Sequence, residues 1–400
     1  MQVFEQNRRR NQTRRDFLKT SGMGLGAFAL SSLLGSDVLA NTVTSTIGNN
    51  GGVLGQGHFP AKAKRIIYLF QSGGPSQIET FDYKPALEKW HGQEIPDSIR
   101  GTQRNSGMVA SQSTFPLVSS IYDFKQYGKS GAWVSELFPY TAQIVDELCI
   151  VKSLYTEAIN HEPAVMFVQT GSMISGRPSI GSWLSYGLGS DNDNLPNFVV
   201  MTSHGGGGQP LNSLAWGSGF LPSHHQGVQF RSGKEPVLFL NNPHGVHRED
   251  RRRALDRIKA FNEHQLDMWG DPEINSKINQ YEMAFRMQAS VPETVDVSNE
   301  PDYIYELYGD DVKIPGTYAR NCLLARKLAE QDVKFIQLYH TGWDQHGGLP
   351  RGIRNQAQDT DQATAALIKD LKWQRSSSGV FYDVDGWGRS ETRDCLWRNR

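Results

Sequence analysis

Five short runs of apolar, strand-favouring residues alternate with helical patterns along this chain, and this alternation restricts the fold more than any other feature. Each run is almost continuously apolar, which is typical of strands covered on both faces. Strands separated by helices predict an α/β fold with a mainly parallel sheet and helices on both faces. The predicted strands are RIIYLF (65–70), LCIVKSL (148–154), NFVVM (197–201), PVLFL (236–240) and KFIQLYH (334–340).

Helical patterns fill the intervals between these runs. They cover Ser135–Asp146, Pro163–Gln169, Ile180–Gly187, Glu249–Trp269, Pro272–Ala289, Thr317–Gln331 and Gln356–Lys372. In open α/β sheets, ligands bind outside the carboxyl ends of the strands. A functional site is therefore expected in the polar turns that follow the predicted strands.

The N-terminus has the pattern of an export signal. The segment TRRDFLK (13–19) places charged residues before an apolar, Gly- and Ala-rich run of about 15 residues, which is followed by small residues at Val38 and Ala40. This run is shorter than the roughly 20 apolar residues of a membrane-spanning helix, so no span is expected after signal removal. Arg14 and Arg15, followed by Phe17, resemble a twin-arginine signal. The pattern predicts the twin-arginine translocase as a partner and a periplasmic or extracellular location.

The predicted organisation has four parts. Residues 1–40 are the signal peptide, and the Gly/Asn/Thr/Ser-rich stretch 41–58 is a linker. Residues 59–375 form the α/β domain, and residues 376–400 are an aberrant tail without a recognisable strand.

Composition argues against several classes of protein. The chain carries 41 Lys+Arg and 42 Asp+Glu, and this balance gives no electrostatic case for nucleic acid or an anionic membrane as a partner. Cys149, Cys322 and Cys395 are far apart, so zinc knuckles, redox pairs and disulfide frameworks are not expected. No GxSxG sequence occurs, which argues against a serine hydrolase of the α/β-hydrolase type.

The first candidate turn follows the RIIYLF run. Gln71, Ser72, Gly73, Gly74 and Ser76 stand there, and paired glycines with hydroxyl donors suit a bound anion. The alternative is a tight strand-to-helix turn capped by Ser76.

The second candidate is His161, at the start of a predicted helix whose first turn contains Pro163. A helix N-terminus favours bound anions, and a neutral imidazole there can ligate a metal or accept a proton. The alternative is a histidine that only forms local hydrogen bonds.

The third candidate turn is HTGWDQHGG, which follows the last predicted strand. Asp344 and His346 are two residues apart in an extended segment, so their side chains can face one ion. Carboxylate and imidazole together suit a divalent ion of the zinc, manganese or iron type. His340, at the end of the strand, fits a supporting position behind the ligands as well as a ligand position.

Several long motifs in this chain resemble one exported family, the domain of unknown function 1501, which is often described as sulfatase-like. The resemblance covers Phe59 to Lys372, and that family in turn is similar to the alkaline phosphatase superfamily. The motifs are FQSGGPSQIETFD, HEPA with TGS and GRPSIGSWLSYGLGS, AWGSGFLPS, YEMAFRMQ, PGTYARNCLLARKLAE and QLYHTGWDQHGGL. The resemblance implies an alkaline-phosphatase-like α/β fold that holds metal at its strand ends.

The resemblance also implies roles for individual residues. Arylsulfatases have a C-x-P-x-R sequence with Thr-Gly after the following helix; here Pro163 and Thr170 match, whereas His161 and Val165 replace the cysteine and the arginine. A formylglycine mechanism is therefore not expected. Asp344 and His346 correspond to the superfamily's late Asp/His ligand pair.

Two departures weaken the implied site. Gln71 and Ser72 stand where the superfamily has an aspartate after its first strand. The family's later GGEFGRT and RDHH segments have no counterpart here, and no histidine follows His346. A truncated or frameshifted reading frame, and hence a fold incomplete at its C-terminal end, is the expectation.

These observations predict an exported metallohydrolase that acts on phosphoric or sulfuric esters of a small molecule or polysaccharide and is inactive if the metal shell is incomplete. One or two metals would activate a bound water, with Asp344, His346 and His161 as ligands or His161 as the base. The alternative is a non-catalytic exported binding or assembly protein that has kept the fold.

Overall fold

The computed structural model describes residues 52–54, 61, 63–102, 111–204, 211–231, 235–378 and 383–384. The predicted signal peptide, residues 1–40, lies outside these ranges, as does most of the predicted linker 41–58. Within the described ranges, no helix combines the length and the apolar character needed to cross a membrane.

A parallel sheet lies at the centre of the fold. The strands of the described chain are β1 (Ile66–Gln71), β2 (Phe124–Tyr127), β3 (Ala132–Ser135), β4 (Phe198–His204), β5 (Val228–Phe230), β6 (Phe335–Thr341) and β7 (Asp383–Val384). The sheet has the order β5-β4-β6-β1-β7 with every pairing parallel, whereas β2 and β3 form a separate antiparallel hairpin. All residues of β6 are buried, because neighbouring strands and helices surround it. The predicted α/β class with a mainly parallel sheet is confirmed.

Helices occupy the connections between the strands. They are α1 (Gln77–Thr80), α2 (Ala86–Trp90), α3 (Asp97–Arg100), α4 (His161–Thr170), α5 (Ile180–Leu188), α6 (Arg248–Trp269), α7 (Pro272–Val295), α8 (Asp302–Tyr308), α9 (Tyr318–Glu330) and α10 (Leu349–Ser378). Short 3₁₀ helices cover Thr141–Glu147, Ser213–Trp216, Ser223–His225 and Asp310–Lys313.

One face of the sheet is covered by α7, α8, α9 and α10. Ile336 and Leu338 of β6 belong to the same buried cluster as Met287, Leu323 and Leu367 of these helices. Burying an aliphatic side chain of this size contributes roughly 1.5–3 kcal/mol, so this cluster is the main source of stability.

The other face is covered by α4, α5 and the 3₁₀ helix Ser213–Trp216. Phe335 and Tyr339 of β6 pack there with Val165 of α4. Helix α5 comes close to the sheet at Gly181, where an added Cβ would lie 2.6 Å from the rings of Phe198 and Phe335. Helices therefore lie on both faces, as the alternating pattern predicted.

The hairpin β2–β3 was not predicted from the sequence. It contributes to a small second core that contains Tyr122, Val134, Phe138, Trp343 and Ile353. Trp343 comes directly after β6 and Gly342, so this second core supports the turn that leaves the central strand.

Two predicted strands are wrong. Residues 148–154 form an irregular, largely exposed segment, in which Leu154 is 76% exposed. Residues 236–240 also form no strand, because Phe239 adopts a φ of 58°, in the left-handed region, and is 92% exposed. Both runs are rich in apolar residues, but only Ile150, Val237 and Leu240 of them pack against a core.

One predicted helix is also wrong. Within Ser135–Asp146, Ser135 ends β3, and Pro139 precedes the 3₁₀ helix Thr141–Glu147. The buried carboxylate of Asp361, on α10, accepts the backbone N–H groups of Tyr140 and Thr141 at 2.8 and 2.7 Å. The other predicted helices are present, with α7 and α10 longer than predicted.

The tail was expected to lack a strand, and the structure differs in this detail. Asp383 and Val384 pair in parallel with Ile66 and Ile67 of β1. The described pairing between β1 and β7 comprises these two residue pairs.

Candidate metal centre

The carboxyl ends of β1 and β6 lie side by side and place their following turns together. The two strands are parallel neighbours, and Gln71 is in register with His340. The N–H of Ser72 donates to the carbonyl of His340 at 2.7 Å, and the N–H of Trp343 donates to the carbonyl of Ser72 at 3.2 Å. These bonds continue the strand pairing into the turns and hold residue 343 against residue 72.

Gly73 makes the closest approach between the two turns. Its φ is 122°, and a Cβ at this position would lie 2.6 Å from the backbone nitrogen of Asp344. A side chain here would be strained and would also displace Asp344. The glycine therefore lets the β1 turn pack directly against the residue that carries the candidate carboxylate ligand.

Helix α4 places His161 at the same edge of the sheet. The helix begins at His161 and has Pro163 in its first turn, where the missing N–H has no intrahelical partner to lose. Val165 and Met166 anchor the helix in the core on this face. As a result, His161 Nε2 lies 3.3 Å from Asp344 Oδ2.

His346 completes the cluster from the other side of the carboxylate. Its Nε2 lies 2.8 Å from Asp344 Oδ1 and 2.9 Å from Oδ2. One ligand atom from each of His161, Asp344 and His346 lies within 4.8 Å of the other two. In the described part of the chain, no other group of three His, Cys, Asp or Glu side chains meets this spacing.

The donor set and the spacing fit one divalent ion. A tetrahedral ion with ligands about 2.1 Å away separates those ligands by roughly 3.4 Å, and His161 and Asp344 are already that far apart. His346 Nε2 lies 2.8 Å from Asp344 Oδ1, so this exposed side chain would move outward by roughly 0.6 Å to bind the same ion. Two imidazoles and one carboxylate suit zinc, manganese or iron better than calcium or magnesium. The side chains of His161 and His346 are 40% and 54% exposed, so a fourth position is accessible from solvent.

Two residues of the predicted anion-binding turn point into the protein. Gln71 accepts the indole N–H of Trp343 at 2.8 Å and donates to the hydroxyl of Tyr318 at 3.3 Å, so both ends of its amide are used. Ser72 is fully buried, and its hydroxyl has no hydrogen-bond partner among the described residues.

The remaining residues of that turn differ in exposure. Gly73 packs against Asp344, whereas Gly74 is exposed and has open space where a Cβ would lie. Ser76 is the N-cap residue of α1, but its side chain makes no capping hydrogen bond. The alternative of a turn capped by the Ser76 side chain is therefore not what the structure shows.

His340 lies behind the cluster and is buried. Its Nδ1 lies 2.9 Å from the hydroxyl of Ser203, and its Nε2 lies 2.9 Å from the amide oxygen of Gln356. An amide oxygen only accepts, so Nε2 carries the proton and Nδ1 accepts from Ser203. Both ring nitrogens of His340 are therefore engaged by protein partners.

A carboxylate also lies near this histidine. Asp359 Oδ2 is 4.0 Å from His340 Nε2. Burial raises the pKa of Asp359, and the charge of Asp311 raises it further.

The sequence did not point to Trp343 or Tyr318 as part of this region. Trp343 stands next to Asp344 in the HTGWDQHGG motif, which is the only local signal. Its hydrogen-bond partner, Gln71, belongs to a different strand far away in the chain, and that pairing becomes visible only in three dimensions.

The fold and the cluster define an α/β protein with a candidate three-ligand metal centre at the carboxyl edge of a parallel sheet. Residues 63–376 match the family described as protein of unknown function DUF1501, and the chain belongs to that family. No curated protein and no solved structure matches the chain.

Proposed function

We propose that this chain is an exported, metal-dependent hydrolase of phosphoric or sulfuric esters, with an alkaline-phosphatase-like fold of the sulfatase-like type. One observation carries the proposal: the imidazole of α4 meets the carboxylate and the second imidazole of the turn after β6 at the carboxyl edge of the sheet. Three protein ligands with an accessible fourth position are the arrangement of catalytic metal sites, whereas structural sites are closed by four protein ligands.

In this proposal, His161, Asp344 and His346 hold the ion. Bound there, a divalent metal lowers the pKa of a coordinated water and offsets negative charge on the ester oxygens. Asp344 contacts both histidines and is 17% exposed, so its carboxylate fixes where the two imidazoles point. If Asp344, His346 and solvent hold the metal instead, His161 at the solvent-facing start of α4 is placed to take up a proton.

The location is part of the proposal. The twin-arginine pattern at Arg14 and Arg15 supports transfer by the twin-arginine translocase to the periplasm or the exterior. That route carries folded proteins, which agrees with a core that uses no disulfide among the described cysteines, Cys149 and Cys322.

A second candidate is a non-catalytic exported protein that binds or assembles through the same fold. The observation that favours it is the state of the β1 turn, where Gln71 is occupied by protein partners and Ser72 is fully buried. A site with fewer free donors for the ester anion can bind an ion without turnover.

Metal analysis and an ester screen test the proposal. The mature chain, dialysed against zinc, manganese or iron, is expected to retain close to one equivalent of one of them. Asp344→Ala combined with His346→Ala should abolish retention, whereas the matched pair Asp310→Ala with His244→Ala, outside the cluster, should not. Equal and negligible metal in all three proteins would remove the proposal.

An ester screen separates the two candidate functions. Turnover of a phosphate or sulfate ester supports the hydrolase if a chelator abolishes that turnover. Metal retention without turnover of either ester supports the binding protein.

A further inference from the structure

We propose that a buried hydrogen-bonded chain, Trp343–Gln71–Tyr318, positions Asp344 for metal binding, so that Gln71 and Trp343 are positioning residues of the centre. This inference rests on the proposed metal site and deepens it. It also gives Gln71 a role other than the anion contact predicted from the sequence.

The first step is the attachment of residue 343, immediately before the candidate ligand. Gly342 and Gly348 have φ values of 109° and 64°, so glycines in left-handed conformations bracket the turn that carries Asp344 and His346. Such a turn is not fixed by its own backbone. Trp343 is 2% exposed, and its indole belongs to the small second core with Ile353. The tryptophan therefore anchors an otherwise adaptable turn.

The second step is the direction in which the indole is held. Indole nitrogen only donates, and it donates to Gln71 Oε1 at 2.8 Å. The backbone N–H of Trp343 donates to Ser72 at 3.2 Å. Two hydrogen bonds to consecutive residues of the β1 end fix both the backbone and the ring of the residue next to Asp344.

The third step is the attachment of Gln71 itself. Because Oε1 accepts from the indole, Nε2 faces the hydroxyl of Tyr318, at 3.3 Å. The Tyr318 hydroxyl also lies 3.0 Å from the hydroxyl of Thr364. The chain of bonds thus runs from the turn through β1 to α9 and α10, which are packed in the main core. Rigid elements therefore determine the position of Asp344.

The geometric requirement on a metal ligand explains why this matters. Ligands have to lie within about 0.5 Å of the productive position, and this depends on the residues that hold them. Replacing an outer partner of a metal ligand commonly lowers affinity by roughly 10- to 100-fold.

Two substitutions break the hydrogen-bonded chain with little change in size. Trp343→Phe removes the indole N–H and keeps an aromatic ring, and Gln71→Leu removes both hydrogen bonds of the Gln71 amide. Trp269→Phe is the matched control, because Trp269 is 62% exposed at the end of α6, which carries no residue of the cluster or of the hydrogen-bonded chain.

Cobalt(II) titration provides the first measurement. Trp343→Phe and Gln71→Leu are expected to weaken binding by about tenfold or more and to change the cobalt absorption spectrum, with Trp269→Phe unchanged. The double variant Trp343→Phe/Gln71→Leu should be no weaker than the poorer single variant, since both changes break one chain of bonds. Wild-type spectra and affinities in both single variants would overturn the inference.

Hydrogen exchange of the metal-free proteins provides the second measurement and keeps the two proposals apart. Amides of residues 342–348 should exchange faster in Trp343→Phe and Gln71→Leu than in the wild type and in Trp269→Phe. If the wild type binds no metal, the proposed function fails, whatever the exchange shows. If exchange of this turn is the same in all four proteins, the positioning role fails, even where the wild type binds cobalt.

Discussion

His161 Nε2 and Asp344 Oδ2 lie 3.3 Å apart, although one begins a helix and the other follows a strand far along the chain. The contact exists because α4 lies on the sheet with its N-terminus at the carboxyl edge, where the turn after β6 also emerges. His346 contacts the same carboxylate, so Asp344 joins the two histidines. This carboxylate is the central element of the candidate centre.

Removal of His161 should weaken metal binding strongly. His161→Ala deletes a direct ligand, so we expect a loss larger than the roughly 10- to 100-fold that is typical of an outer partner. Competition titration with a zinc indicator measures it. Asn160→Ala is the control, because Asn160 precedes the helix without a side-chain capping bond. Wild-type affinity in His161→Ala would show that the imidazole is not a ligand.

Alanine at Gly73 should damage the site and the fold together. The new Cβ would meet the backbone of Asp344 in a left-handed conformation, at a cost of about 2–3 kcal/mol. Gly74→Ala has a comparable φ of 83° but open space around it, so only strain of about 1 kcal/mol is expected. Urea unfolding gives both values. Equal losses would mean that the approach to Asp344 is not tight.

Acidification should destabilise the packing of the 3₁₀ helix Ser223–His225 against α5 and α7. Burial, and then the neighbouring His224 imidazole, lowers the pKa of His225 to about 4 from 6.5. His225 Nδ1 is bonded to Ser185, and the two imidazole centroids are 3.9 Å apart. The unfolded chain takes up the proton first as pH falls, so stability is full above pH 6.5 and declines towards pH 4, by about 3 kcal/mol.

Urea unfolding at several pH values tests this dependence. His225→Gln should flatten the decline in stability between pH 6.5 and 4. A smaller decline should remain because burial also lowers the pKa of His224, although the charge of Glu273 opposes this effect. The exposed His244→Gln variant should keep the wild-type profile. A wild-type profile in His225→Gln would assign the acid sensitivity to other groups.

Export should depend on the paired arginines. Replacing Arg14 and Arg15 by lysine keeps the charge of the signal and removes the guanidinium pair, so we expect a reporter fused to residues 1–45 to stay in the cytoplasm. Cell fractionation measures the distribution. Lysine at Arg8 and Arg9, outside the pattern, is the control and should leave export intact. Export of the Arg14/Arg15 variant would argue for another route.

Much of the fold could be predicted because the inner strands are apolar on both faces. The runs at 197–201 and 334–340 became β4 and β6, which lie inside the sheet. The run at 148–154 is largely exposed, and the run at 236–240 forms a turn from which Val237 and Leu240 reach the core, so composition alone cannot show which apolar run forms a strand. The β2–β3 hairpin was missed because its short strands pack on a small core formed with distant residues such as Trp343.

The spacing of residues in the sequence indicated which side chains form the site, but the sequence does not show in which direction a side chain points. Asp344 and His346 are two residues apart, and a histidine at a helix start is visible in the sequence, so the cluster residues were singled out. The position of Gln71 and Ser72 after a strand predicts anion binding, but the structure turns both side chains inward. The direction of Gln71 depends on Trp343 and Tyr318, which lie on elements whose packing is not encoded near residue 71.

The short pairing between β1 and β7 has a practical consequence. Only Asp383 and Val384 are in register with Ile66 and Ile67, whereas all seven residues of β6 are buried inside the sheet. A two-residue pairing at the edge of a sheet is held by few backbone hydrogen bonds, so it opens more readily than an inner strand. Hydrogen exchange is therefore expected to release the amides of Asp383 and Val384 long before those of β6.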